Sequence, residues 1–296
     1  MLPEPEWGLL PRPGRPVRKL AGRYAPPICD HSSRAAFAVT VTRARRFDAV
    51  SLDLWSTSLV ERPGAEGRLR EERCDFLATE LSPVAGPPIP GRDIRRAMKL
   101  VHEEIASRGR HPIELDPVSL VGRYAQALGV RPSRPITEIG TEYSRVGLAD
   151  DGPASNPEAE SLISSAEARG VPVIAITDTA RTEPSWQEFL HARTELRFRH
   201  IVTSCEVGRA KPDPAIFRDA ARRLGLPPEA ILHIGDRWDR DVQGALRVGF
   251  GAVLYSGLRD SISSQQDPLP DPEEFRRVGV LHVRRLDDPS VLSLLG

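Results

Sequence analysis

Residues 47–60 read FDAVSLDLWSTSLV. Ala49-Val50-Ser51-Leu52 has the apolar and β-branched content of a strand. Asp53 follows it directly, and Trp55, Ser56 and Thr57 come next. A carboxylate at the end of a buried strand is costly unless something pairs with it. The rest of the chain has to say what that something is.

Downstream, residues 66–150 carry four stretches with apolar residues at helical spacing, broken by Pro or Gly: EGRLREERCDFLATEL, RDIRRAMKLVHEEIASRG, DPVSLVGRYAQALGV and PITEIGTEYSRVGLA. Four helices in a row after one strand predict an inserted helical unit over 65–150. After the break DDGPASNP the pattern alternates. The strands VPVIAIT, HIVTS, AILHIGD and GAVLYSG are separated by the helices PSWQEFLHARTEL, PAIFRDAARRLG and RDVQGALRVG. Short, nearly continuous apolar strands between helices predict a doubly wound parallel sheet, an α/β core over 46–64 and 151–296. Residues 1–45 are rich in Pro and Arg and are expected to form an extended arm, in which AAFAVTVT could add an edge strand.

Bulk composition narrows the function class. The 41 basic and 41 acidic residues of the 296-residue chain cancel, so no charge footprint for nucleic acid is expected. Mean hydropathy is −0.33, and no run reaches the ~18 apolar residues of a membrane span. The first residues, MLPEPEWGLLPRPGRPVRK, lack the apolar centre of a signal peptide. Cys29, Cys74 and Cys205 show no paired spacing. A cytoplasmic protein without structural disulfides is the expectation.

In a parallel sheet, reactive residues gather at the carboxyl ends of the strands. Those ends carry Asp53, Thr177, Lys211 in the loop after HIVTS, and Asp236 with Asp241. A nucleophilic carboxylate, a hydroxyl, an ammonium and further carboxylates form a kit for phosphoryl transfer, with a divalent cation offsetting the negative charge. Each residue also has an ordinary reading. Thr177 alone could cap the next segment, and Asp236 or Asp241 is expected to cap the helix RDVQGALRVG. Lys211 has an internal control, because only three of the 41 basic residues are lysines. Where charge alone mattered, this chain would supply arginine. Cys205 reads as a small buried residue, and His233 as a core or surface histidine.

With those residues in place, the chain resembles the haloacid dehalogenase-like hydrolases. Asp53-Leu54-Trp55-Ser56-Thr57 matches the first motif, Thr177 in VIAITDT the second, and Lys211 in CEVGRAKPDPAIF the third. Gly235-Asp236 with Asp241 in HIGDRWDRDVQGA matches the fourth. The resemblance implies Asp53 as nucleophile, Thr177 and Lys211 on the transferred group, and Mg²⁺ held by Asp53, the Trp55 carbonyl, Asp236 and Asp241. It also implies that 65–150 is a helical cap over a small phosphorylated metabolite.

Trp55 departs from the pattern. Phosphatases of the family have an aspartate there that protonates the leaving oxygen, which an indole cannot do. Three readings follow: a Mg²⁺-dependent phosphatase working through an aspartyl-phosphate without that acid; a metal-independent 2-haloacid dehalogenase; and a catalytically silent binding or regulatory protein. The dehalogenases carry an aromatic at this place but resemble SSN, not GD, at the fourth motif. HIGDRWDRD argues against them.

Overall fold

The computed structural model describes residues 46–61, 64–83, 86–107, 114–147, 152–258 and 269–296. The expected arm over 1–45, with AAFAVTVT and Cys29, lies outside the described residues.

In chain order the elements are β1 (Ala49–Leu52), β2 (Leu59–Val60), α1 (Ala65–Glu80), α2 (Gly91–Ala106), α3 (Pro117–Leu128), α4 (Ile136–Tyr143), β3 (Ala154–Ser155) and α5 (Pro157–Glu167). Then come β4 (Val173–Thr177), α6 (Glu183–Arg193), β5 (Ile201–Thr203), α7 (Ser204–Val207), α8 (Pro214–Leu224), β6 (Ile231–Gly235) and α9 (Gln243–Val248). The chain ends with β7 (Gly251–Tyr255), α10 (Pro272–Val278), β8 (Leu281–Val283) and α11 (Pro289–Leu292).

Six strands form one parallel sheet in the order β5-β4-β1-β6-β7-β8. Period-two alternation assigns their side chains to two faces. Val50, Leu52, Val173, Ala175, Leu232 and Ile234 join the cluster with Leu162 of α5 and Trp186 of α6. Ala49, Ile174, Ile176 and Ile231 join the opposite cluster with Phe217 of α8 and Ala245 of α9. Both faces are covered, which is why these strands read as almost purely apolar. From β1 the chain moves outward through β4 and β5, then returns to the other side of β1 at β6. The crevice outside the ends of β1 and β6 is therefore the topological switch point, where such sheets bind ligands.

Five of the chain's 28 prolines serve one device. Asp116, Asn156, Asp213, Asp271 and Asp288 each cap a helix with a side-chain oxygen, and each is followed by Pro at the first helical position.

The four helices α1–α4 bury a cluster of their own around Leu77, Ile94, Val121, Tyr124 and Tyr143. Gly140 lets α4 touch α3, since a Cβ there would lie 2.5 Å from the Val118 backbone. Entry to and exit from the insert are tied by a small antiparallel pair, Leu59 with Ser155 and Val60 with Ala154. Asn156 fastens that stem, its Nδ2 donating to the Thr57 carbonyl at 2.8 Å and its backbone N–H to the Ser58 carbonyl at 2.8 Å. Among the described residues, no helix is long and apolar enough to cross a membrane.

Candidate active site

Lys211 organises the cluster. Its Nζ donates to Asp53 Oδ1 at 2.5 Å, to Asp241 Oδ1 at 2.6 Å and to the Ile176 carbonyl at 3.2 Å. Asp236 joins Asp53 and Asp241: one carboxylate oxygen from each lies within 4.8 Å of the others. All four side chains are buried, and all four line a cavity of about 180 Å³ together with Trp55 and Ser56.

The backbone builds this convergence locally. After β1 the chain winds through two wide turns, with Ser58 N–H donating to the Asp53 carbonyl at 3.3 Å and Leu59 N–H to the Leu54 carbonyl at 2.7 Å. Ser56 sits at φ 58, a left-handed conformation that costs a non-glycine residue on the order of 1 kcal/mol or more. After β6, residues Trp238–Val242 form a π turn before α9 begins. Asp241 folds back, its Oδ2 accepting the Arg237 N–H at 2.9 Å. Only glycine leaves room for it: a Cβ on Gly235 would lie 2.3 Å from the Asp241 carboxyl carbon. Of the two aspartates expected to cap the helix RDVQGALRVG, Asp241 does not, because its side chain is turned toward Lys211.

Three carboxylates around one ammonium leave excess negative charge. Burial lifts the Asp53 carboxyl to about 7; Lys211 opposes the rise and Asp241 adds to it. Burial, then repulsion from Asp53 and Asp241, lifts Asp236 to about 8. Burial also works against Asp241, but Lys211 and His233 outweigh it and hold that carboxyl below its ordinary value. Lys211 loses charge stability to burial and regains more from Asp241 and Asp53, so it stays an ammonium.

Thr177 closes β4 fully buried, and its Oγ1 has no hydrogen-bond partner. Trp55 packs its ring edge on Trp186, with centroids 5.4 Å apart. Trp238 packs on Phe275 and does not line the cavity around Asp53. Cys205 is buried, and burial pushes its thiol up to about 12.

A model of the haloacid dehalogenase-like hydrolases matches residues 47–249. The chain belongs to that family. A glyceraldehyde 3-phosphate phosphatase of Methanopyrus kandleri is 37% identical over 102 residues, which is 34% of this chain and 44% of that protein. A phosphoserine phosphatase of Thermus thermophilus is 34% identical over 126 residues, 42% of this chain and 47% of that protein. The matches thus span about half the length of these relatives. Among solved structures, a 2-haloacid dehalogenase of Pseudomonas syringae aligns with TM-score 0.54 at 21% identity, covering 83% of this chain and 97% of that one. CbbY of Rhodobacter sphaeroides, in complex with phosphate, aligns with TM-score 0.51 at 17% identity, covering 82% and 96%. These two likenesses show the fold of the family.

Within this haloacid dehalogenase-like site, three residues escaped the sequence reading. His233 lies opposite Ser51 in the β1–β6 register. Its Nδ1 is 2.9 Å from Ser51 Oγ and its Nε2 is 3.3 Å from Asp241 Oδ1. An ionised Asp241 only accepts, so Nε2 carries the proton and Nδ1 accepts from Ser51. Asp178 takes the Lys211 backbone N–H on Oδ1 at 2.8 Å and Arg240 on Oδ2 at 3.2 Å. Its place directly after Thr177 was the available signal. Glu114, from the insert, faces Asp178; burial, then Asp178, raise its carboxyl to about 7 against the pull of Arg240.

Proposed function

We propose that this protein is a Mg²⁺-dependent phosphatase of small phosphorylated metabolites, with Asp53 as nucleophile and Trp55 in place of the usual acid. The observation that carries this reading is the buried cluster of Asp53, Asp236 and Asp241 around the single ammonium of Lys211. Its donors are all hard oxygens, and its charge excess is negative, which suits a small divalent cation. Asp53, Asp236 and Asp241 would hold the ion, to which the family resemblance adds the Trp55 carbonyl. Bound there, the cation would offset the negative charge between the carboxylates and an incoming phosphate.

The chain's own groups supply the rest. Lys211 fixes Oδ1 of Asp53, a residue that lines the cavity, and Oδ2 would be the attacking oxygen. Oδ2 attacks phosphorus, an aspartyl-phosphate forms, and the ester P–O bond breaks. The departing alkoxide takes its proton from solvent, because the Trp55 indole N–H is far too weak an acid to supply one. Water then attacks phosphorus, releasing phosphate and restoring the Asp53 carboxylate. The unpartnered Thr177 hydroxyl is the group proposed to hold a phosphoryl oxygen. The insert over 65–150 acts as the cap: its α1 lines a cavity that has Trp55 and Asp178 as walls in common with the reaction cavity.

Trp55 itself favours a second reading, in which the fold binds a phosphorylated ligand without turning it over. A panel of phosphate esters and 2-haloacids, assayed for phosphate and halide release with Mg²⁺, decides. The proposal expects phosphate release and no halide. Halide release without metal would install the dehalogenase reading, and ligand binding without either product the silent one.

A further inference from the structure

A second cavity, of about 240 Å³, adjoins the first across Trp55 and Asp178. From the insert side α1 lines it with Arg68, Glu72 and Arg73; from the core side Arg181 does, in the loop between β4 and α6. Arg181 is only 2% exposed. Its Nη2 donates to the Val146 carbonyl at 2.7 Å, and its Nε is buried with no partner. The Nε of Arg73 is also buried and unpartnered.

Among the described residues no ion pair joins either guanidinium to a carboxylate, although Glu61 and Glu72 line the same cavity. Burial, then the charge of Arg73, pulls Arg181 down to about 9, which still leaves it a cation at neutral pH. Glu72 faces Arg181 and offsets part of its charge, yet no ion pair joins them among the described residues. Asp178 is already taken by the Lys211 N–H and Arg240. Arg181 lies over the Trp186 ring at 5.4 Å, and the same indole supports Trp55, so one buried ring fixes both walls. Arg73 and Arg181 line one cavity, and the outer N–H groups of a guanidinium suit an oxyanion, which the fork binds in two-point fashion.

We propose, resting on the phosphatase reading, that this cavity is an anion subsite for a second acidic group of the substrate. A carboxylate or second phosphate sits on Arg73 and Arg181, while the transferred phosphoryl group meets Asp53 on the other side of Trp55. The simpler role for Arg181 is structural, tying the Val146 loop to the core. That role has no preference for charge.

Kinetics with phosphoglycerate, propanediol bisphosphate and glycerol phosphate test the proposal and separate its two sources of anion. Wild type should favour at least one of the doubly acidic esters over glycerol phosphate by about 10- to 100-fold in kcat/KM, mostly through KM. Arg73→Gln, on the half-buried face of α1, and Arg181→Gln should each shrink that ratio about tenfold. Equal kcat/KM for all three esters in wild type overturns the subsite. So does a ratio that survives both substitutions, including the case where Arg181→Gln slows every ester alike. If no ester is hydrolysed, the phosphatase reading falls separately, and calorimetric titration decides the subsite. Phosphoglycerate binding more tightly than glycerol phosphate, and losing that margin in Arg73→Gln, supports it; equal binding overturns it.

Discussion

The two sides of Trp55 bury groups of opposite charge. On one side three buried carboxylates crowd one ammonium. On the other, two guanidiniums line a cavity with unpartnered Nε atoms. A folded chain keeps such groups buried at a cost unless another molecule completes them. The carboxylate cluster suits a cation, and the guanidiniums suit an anion. A metal-bound phosphate ester with a second acidic group answers both at once. On the proposed reading the roles also separate: the carboxylate side would do the chemistry, and the guanidinium side would select what reaches it.

The comparison breaks most visibly at Asp53. Asp53→Asn keeps the size of the side chain and an acceptor for Lys211, but removes the nucleophile. Turnover of phosphate esters should fall by about 10⁴-fold or more with the fold intact, as circular dichroism and steady-state kinetics would report. Next in size is Lys211→Met, which leaves Asp53 and Asp241 facing each other unpaired. Urea denaturation without metal should show a loss of about 3–5 kcal/mol.

Trp55→Asp sharpens the boundary between the two sides. Wild type should cleave aryl phosphates far better than alkyl phosphates, because aryl leaving groups need little protonation. The variant should gain on alkyl phosphates by less than the ~10²–10⁴ of a well-placed acid. The lost packing on Trp186 and the void left behind absorb part of the benefit. No gain would point to another proton source, with Glu114 the next residue to replace.

The smallest effect concerns stability against pH. Asp53 and Asp236 are lifted from an ordinary 3.8 to about 7 and about 8. Between those limits the metal-free folded protein holds more protons than the unfolded chain, so its stability falls as pH rises from about 4 to 8. Glu114 pulls the same way up to about 7. His233, held below its ordinary 6.5 by burial, pulls the opposite way at acid pH. Asp241, held low, acts only below 3.8. Mg²⁺ competes with those protons, so its effect on melting temperature should be larger at pH 8 than at pH 5.

The two sides were unequally legible in the sequence. Asp53 and Asp236 stood out because each ends an apolar strand, and Lys211 because lysine is rare in this chain. Arg73 and Arg181 carried no such contrast among so many arginines; only the fold brings them to one cavity. The sheet and the four insert helices were readable from periodicity. The two-residue strands β2 and β3 were not, since two residues cannot show an alternation. The π turn at Trp238–Val242 reads as ordinary helix, because the reason for it is Asp241 reaching back to Lys211, a contact between residues 30 apart. His233 looked like a core residue and is one, but its partner Asp241 lies in the next turn of chain, where a strand pattern gives no hint.

We propose that the carboxylate cluster turns substrate over only when a divalent cation balances it. The direct measurement is hydrolysis of an aryl phosphate by wild-type protein as free Mg²⁺ is removed with chelator and then restored. The account predicts that phosphate release vanishes on chelation and returns with added Mg²⁺. Full turnover in excess chelator would contradict it.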